Sequence, residues 1–286
     1  MSIGSAGQLG ETLRAWRTRV RPEDVGLPTY NERRRVSGLR REELALLAGV
    51  SGSYYTRLEQ GQSRNASPEI LNAIGTALKL TDAERQHLTA LAAGTRQRPA
   101  TKRPPVEHLD PALADLLSAL GDVPAIVLGR RSDVLAWNRM GHALLAGDID
   151  ATAPDRPKDR PNMVELIFLD EHSRELYTDW STKARAVVGN LRLTAGQHPE
   201  DSLLASLIGT LSMNSPEFTR LWSDHRVQPC ATADYDLRHP LVGALTVTQQ
   251  SLRSLQSPTQ ILVTCTTPRE SPSAQALRLL AQLVAT

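Results

Sequence analysis

Apolar residues recur at helical spacing from the start of the chain, and the pattern breaks where proline and glycine gather. Leu9, Leu13 and Trp16 share one helix face. Pro22, Gly26 and Pro28 then interrupt the periodicity between Arg21 and Gly38. A second helix starts near Leu39 or Arg40, carries Glu43, Leu44, Leu47 and Ala48, and ends at Gly49. Ser51 can cap a third helix running to about Gln60, where Gly61 stops it. Ser67-Pro68 supplies a cap and a first-turn proline for a fourth helix, and Thr81 to Glu84 spells a capping box for a fifth. This stretch, residues 1–94, is expected to be a compact all-α domain.

The pattern lapses in TRQRPATKRPP, residues 95–105, which holds three prolines, four basic residues and no apolar period. It reads as a linker, placed at 95–106, before a second domain over 107–286. There, Asp110–Leu120 is helical. Ala125–Gly129 and Asp133–Trp137 read as strands of a hairpin, and Asn138–Leu145 as a helix. The polar stretch from Asp148 to Arg160 reads as a loop. Helices are expected over Trp180–Leu193, Asp201–Ser212 and Pro216–His225, then strands over Arg226–Tyr235, Gly243–Thr248 and Gln260–Thr266, and a last helix from Ser271-Pro272 to Leu283. Strands flanking a run of helices make this an α+β domain on an antiparallel sheet.

Charge sharpens the division. The net charge of +2 splits into +7 over residues 1–105 and −5 over 106–286, so one half is suited to a polyanion and the other is not. Cys230 and Cys265 are far apart in the chain, which excludes a cysteine-rich framework and fits a reducing cytoplasm. With no signal peptide and no apolar run near the ~20 residues of a membrane span, a cytoplasmic, nucleoid-associated protein without membrane contact is expected. No GxSxG, P-loop, GxGxxG or metal-ligand spacing occurs, so neither enzymatic activity nor a cofactor nor a metal is expected.

The most informative segment is LRREELALLAGVSGSYYTRLEQG, Leu39 to Gly61: two short helices about a glycine-centred turn. Val50, Tyr55 and Leu58 fall on one side of the second helix, toward Leu44 and Leu47. Gly52, Ser53, Tyr54, Thr56 and Arg57 fall on the other side or its flanks. In a helix-turn-helix that outer face lies in the major groove and its N-terminal residues touch base edges. Serine and threonine hydroxyls can meet bases or phosphates. Tyr54 offers a ring for a thymine methyl, and Arg57 can pair bidentately with guanine, although a local pair with Glu59 or Glu69 is the alternative. Glu59 itself reads as a structural partner for an arginine. Arg40 and Arg41 are placed for phosphates at a helix start, and Arg34 and Arg35, within the run Arg33 to Arg35, add sequence-independent attraction.

With these residues in register, including "GVS", "RLEQG" and the following Ser67-Pro68, residues 7–93 resemble the Cro/repressor, xenobiotic-response-element type of helix-turn-helix. "RRRVSGLRREELALLAGVSGSYYTRLEQG", "AIVLGRRSDVLAWN", "SPEFTRLWSDHRV" and "RHPLVGALTV" extend the resemblance over nearly the whole chain, to the MmyB-like regulators of actinobacteria. That resemblance implies a PAS-like C-terminal domain that binds a fatty-acid-like ligand. The run Thr246 to Gln250 departs from the more acidic and aromatic stretch common in the family.

Large aromatics are few, and most of them fall in the second domain. Leu135, Trp137, Asn138, Phe168, Tyr177, Trp180 and Trp222 are therefore the candidates for lining a ligand cavity. The alternatives are hydrophobic core for the aromatics and a helix N-cap for Asn138. The expected partners are double-stranded DNA carrying a palindromic operator, a second copy of the chain, and the apolar ligand. The competing reading makes the C-terminal domain a dimerisation or protein-interaction module alone.

Overall fold

The computed structural model describes residues 5–27, 38–62, 66–94, 106–227 and 232–285. The expected linker at 95–105, together with Arg34, Arg35 and Cys230, lies outside them. The chain divides into two compact units.

The first unit comprises Met1–Lys102 with two later stretches, Arg192–Ser202 and Leu221–Pro229. Its helices are α1 (Ser5–Arg19), α2 (Arg41–Leu47), α3 (Gly52–Glu59), α4 (Pro68–Ala77) and α5 (Asp82–Gly94), with a 3-10 turn at Pro22–Val25. The start signals act as read. The Ser67 hydroxyl accepts from Ile70 N–H, while Thr81 N–H donates to Glu84 Oε2 at 2.9 Å and Glu84 N–H donates back to Thr81 Oγ1 at 3.3 Å. Leu9, Leu13 and Trp16 of α1 are buried with Leu44, Tyr55, Leu58, Ile74, Leu78 and Leu88. Leu47 is the exception. It does not turn toward α3 but stands partly exposed beside the more exposed Leu46.

The two later stretches complete this core. Leu193 and Val227 pack against it, and the Trp16 indole N–H donates to the His225 carbonyl at 3.1 Å. His87 meets the Trp16 ring edge-on at 6.2 Å. The Arg192 guanidinium lies 4.2 Å over the Trp222 ring and donates to the Trp222 carbonyl. Burial lowers both imidazoles to about 4, and the Arg192 charge adds to it. Glu84 beside His87 and Asp224 beside His225 oppose the shift too weakly to reverse it. A base with a depressed folded pKa is neutral in both states above its ordinary value of 6.5, and below that the unfolded chain takes up protons first. The unit is therefore expected to lose stability as pH falls from about 6.5 to about 4. Thermal melts across that range check this, and an unchanged midpoint between pH 7 and pH 5 contradicts it.

The second unit comprises Arg103–Leu191, Leu203–Arg220 and Cys230–Thr286. It holds a five-stranded sheet of β1 (Ala125–Leu128), β2 (Val134–Trp137), β3 (Ala233–His239), β4 (Gly243–Arg253) and β5 (Ile261–Thr266), in the order β2-β1-β5-β4-β3 with every pair antiparallel. This sheet with its helices is the PAS-like α+β arrangement. The helices are α6 (Pro111–Ala119), α7 (Arg139–Leu145), α8 (Met163–Leu169), α9 (Glu171–Leu176), α10 (Trp180–Gln197), α11 (Ser202–Asn214), α12 (Pro216–Ser223) and α13 (Pro272–Leu283). The last residues of α10 and α12 pass into the first unit.

Strand alternation sorts the faces of the sheet. Ala125 and Val127 of β1 and Leu262 of β5 pack with Leu113 and Leu117 of α6. Ile126 and Leu128 of β1 and Val263 of β5 turn to the other face, where a cavity opens.

Two sequence expectations shift. The strand placed over Arg226–Tyr235 is instead β3, Ala233–His239. There Tyr235, Leu237 and His239 are buried while Asp234, Asp236 and Arg238 point out. A period of two in a charged strand outranks the depletion of aspartate from strands. The sequence pattern does not predict helices α8 and α9. MVELIFL is a short apolar run that period alone cannot assign, and it is made helical by Asn162, whose side chain caps Val164 N–H at 2.9 Å.

Candidate functional site

The α2–α3 pair forms the first candidate surface. Gly49 turns the chain at φ +64°, a left-handed value that favours glycine, and Val50 N–H donates to the Ala45 carbonyl at 2.9 Å. Ser51 caps α3 through Tyr54 N–H at 3.1 Å. Tyr55 and Leu58 are fully buried, which fixes the roll of α3. Its opposite side then presents Ser53 and Arg57 to solvent, with Gly52, Tyr54 and Thr56 half-buried at its margins. Among the described residues Arg57 makes no ion pair, so neither expected carboxylate holds it. The Thr56 hydroxyl is occupied within its own helix, donating to the Gly52 carbonyl at 2.8 Å.

Glu59 holds the surface in place from behind. Its carboxylate accepts from Arg17 Nε at 2.9 Å and Nη2 at 3.0 Å, and from Arg41 Nη2 at 2.7 Å and Nε at 2.9 Å. Arg17 also donates to the Leu39 carbonyl. One buried carboxylate thus ties α1, the entry to α2 and the end of α3 together. Burial pushes the Glu59 carboxyl up, but Arg17 and then Arg41 outweigh it and hold it below the usual carboxylate range. Gly10 permits the close approach: a Cβ there would stand 2.1 Å from the Glu59 carbonyl oxygen. Arg40 is exposed, its backbone N–H capped by the Glu43 carboxylate at 2.7 Å. Of the two arginines read as phosphate contacts at this helix start, Arg41 is thus committed to Glu59 and Arg40 is turned to solvent.

The second candidate is the cavity of the C-terminal unit, about 40 Å³ in volume. Ile126, Leu128 and Val263 form its sheet side, with Gln249 of β4. Met163 and Val164 of α8 and Lys183, Val187 and Asn190 of α10 face them. Tyr177 is the one residue of the expected ligand set that lines it.

The other six have different surroundings. Leu135 packs on the α6 side of the sheet. Trp137 stacks at 4.9 Å on His142 and donates its indole N–H to the Ala151 carbonyl at 2.7 Å. Asn138 is the N-cap of α7. Phe168 sits edge-on between Trp180 at 5.5 Å and Phe218 at 5.2 Å, and Trp180 donates to the Ile167 carbonyl. Trp222 belongs to the N-terminal unit.

Lys183 and Gln249 carried a sequence signal that aromatic content hid. Lys183 lies on one α10 face with Val187 and Asn190, and Gln249 continues the inward set Leu245, Val247 of β4. Each is a polar residue at a position whose period points inside. The thiol of Cys265 is buried and pushed up to about 11 by that burial, which suits an inert side chain rather than a redox switch.

Residues 8–88 match the family model of a helix-turn-helix domain, and residues 109–280 match that of the MmyB-like transcription regulator ligand binding domain. Together they define a DNA-binding transcription regulator of helix-turn-helix class with a C-terminal domain of ligand-binding type. Because the second match spans more than half of the chain, the protein belongs to the MmyB-like transcription regulators. No curated relative matches the chain. Both matched models are of regulatory rather than catalytic domains. Among the described residues, no helix is long and apolar enough to cross a membrane, and no cluster of His, Cys, Asp or Glu could hold a metal.

Proposed function

We propose that this regulator binds a palindromic operator as a homodimer, and that a fatty-acid-like ligand in the C-terminal cavity alters its operator affinity. Half-sites of such a dimer lie about one helical turn apart. The observation that carries the DNA-reading half is the outer face of α3, where Ser53 and Arg57 stand exposed above a core fixed by Tyr55, Leu58 and Glu59. Gly52, Tyr54 and Thr56 border that face. Arg40 serves phosphate, as do Arg34 and Arg35, while Arg41 acts chiefly through Glu59.

The sensing half rests on the apolar cavity and on α10. That helix lines the cavity with Lys183, Val187 and Asn190 and then carries Leu193, which packs in the core of the N-terminal unit. A ligand that favours one arrangement of α10 by about 1–3 kcal/mol would change operator affinity roughly 5–150-fold.

Arg57→Ala is expected to weaken binding to the specific operator by about 1–3 kcal/mol with little effect on random DNA. Arg34→Ala should weaken binding to all sequences and flatten its salt dependence. Fluorescence anisotropy with labelled duplexes at several salt concentrations measures both. If Arg57→Ala leaves specific binding intact, α3 does not read bases as assigned. Calorimetry of the full chain with medium-chain fatty acids tests the ligand half, and an absence of heat would favour the dimerisation-only reading.

A further inference from the structure

We propose that His87, Arg192 and His225 form a pH-sensitive clasp in the N-terminal unit. It holds residues 192–202 and 221–227 against α1 and α5, and it lets them go when the imidazoles take up protons.

Three basic side chains from three stretches of chain meet in one buried place. His87 of α5 is 3% exposed and Arg192, near the end of α10, is 5% exposed. The His87 ring abuts the α10 backbone: a Cβ on Gly196 would stand 2.5 Å from its Cε1 and Nδ1. His225 Nδ1 lies 3.4 Å from Arg192 Nη1 and 3.4 Å from Thr12 Oγ1 of α1. A guanidinium can only donate, so the ring nitrogen facing it must accept, and the His225 imidazole is neutral. Protonation would set N–H against N–H. Arg192 cannot swing clear, because the Trp222 ring and carbonyl hold it.

The nearby carboxylates are already engaged. Among the described residues these are Glu84 beside His87 and Asp224 beside His225. Glu84 accepts from Arg19 Nη1 of α1 at 2.7 Å and from Thr81 N–H at 2.9 Å, and Asp224 accepts from Arg226 Nε at 2.8 Å. A second positive charge beside Arg192 would be buried without a counter-ion of its own. Burial and Arg192 accordingly hold both imidazoles at about 4, against an ordinary 6.5 once released. The closed clasp is fully favoured above about 6.5 and loses that advantage as pH falls toward 4. Between pH 7.5 and 5.5 each imidazole shifts the balance toward release roughly tenfold, and the two together roughly a hundredfold.

Release differs from unfolding of the unit. The Glu59 tie and the core around Tyr55 and Leu58 involve none of the three basic groups. The freed end of α10 is less than two turns long and, without tertiary support, frays.

Hydrogen exchange of the full-length protein at pH 7.5 and 5.5, corrected for intrinsic rates and read by mass spectrometry, tests the proposal. Protection of residues 192–202 and 221–227 is expected to fall about a hundredfold between the two, and at pH 5.5 to lie at least about tenfold below that of Tyr55 and Leu58. His87→Leu removes one titrating ring from an apolar setting. His225→Asn removes the other and suits its left-handed φ of +51°. Each single variant should show only about a tenfold fall, and the double variant almost none. Thermal melts at pH 7.5 establish which variants are folded, and the single variants suffice if the double one is not. Protection that does not change with pH overturns the switch. Equal protection of the clasp and of α3 at pH 5.5 overturns it too, because the unit then opens only as a whole. A hundredfold fall that survives in the folded variants assigns the pH dependence to other groups and overturns the role of the histidines.

Discussion

Glu59→Ala should destabilise the N-terminal unit by about 3–5 kcal/mol, the usual cost of removing one partner of a buried ion pair. The size comes from what remains. Arg17 would keep its burial and its bond to the Leu39 carbonyl but lose both bonds to the carboxylate, and Arg41 would lose its anchor. Against a typical domain stability of about 5–15 kcal/mol this is at least about a fifth of the total. Urea denaturation followed by the fluorescence of buried Trp16 measures it, and a loss under about 1 kcal/mol would show that the three-way tie contributes little. Arg41→Ala should cost less, because the Arg41 side chain is 44% exposed and solvent compensates. The acid limb offers a second check. A carboxylate held below its ordinary value stabilises the fold above that value, and the contribution disappears as pH falls through the folded value. Glu59→Gln should accordingly flatten the stability profile below about pH 4.5.

Asn138→Ala carries the second large expectation, about 2–4 kcal/mol from the C-terminal unit, combining a cap worth roughly 1 kcal/mol with about 1–3 kcal/mol for the buried Ala125 N–H left unpaired. One amide serves four backbone groups. Asn138 Oδ1 accepts from Gly141 N–H at 2.7 Å and Ala125 N–H at 3.0 Å, while Nδ2 donates to the carbonyls of Val123 at 2.7 Å and Gly121 at 3.2 Å. It joins the start of α7 to the entry of β1, where a Cβ on Gly141 would stand 2.1 Å from the Ala125 carbonyl oxygen. Asn138→Asp keeps the two acceptor bonds but sets a carboxylate oxygen against the Val123 and Gly121 carbonyls, so it should cost about as much. Because Asn138 does not line the cavity, a folded Asn138→Asp should bind octanoate as the unaltered chain does. A marked fall in that affinity would restore Asn138 as a ligand residue.

The helix-turn-helix was legible because its determinants are local. The Ser51 cap, the Gly49 turn and the spacing of Val50, Tyr55 and Leu58 all act within one or two turns of chain. The sheet was legible as a set of strands but not in its order, since β1 pairs with β5 across more than a hundred residues. The cavity was the least legible part. Of the aromatic candidates, Trp137 and Trp180 each satisfy an indole N–H on a nearby carbonyl, and Phe168 is held by other rings. What distinguishes the cavity is a polar side chain where the period calls for an apolar one. Lys183 and Gln249 meet only after α10 is laid on β4, a pairing separated by 66 positions.

The make-up of the N-terminal unit bears on how such regulators can be recombined. Residues 192–202 and 221–229 supply Leu193, Val227 and the His225 carbonyl that receives Trp16. A chimera that exchanges the first hundred residues between two members of the family would import a new reading helix onto a core finished by someone else's side chains. Transplanting the N-terminal unit therefore means moving three separate stretches of chain together.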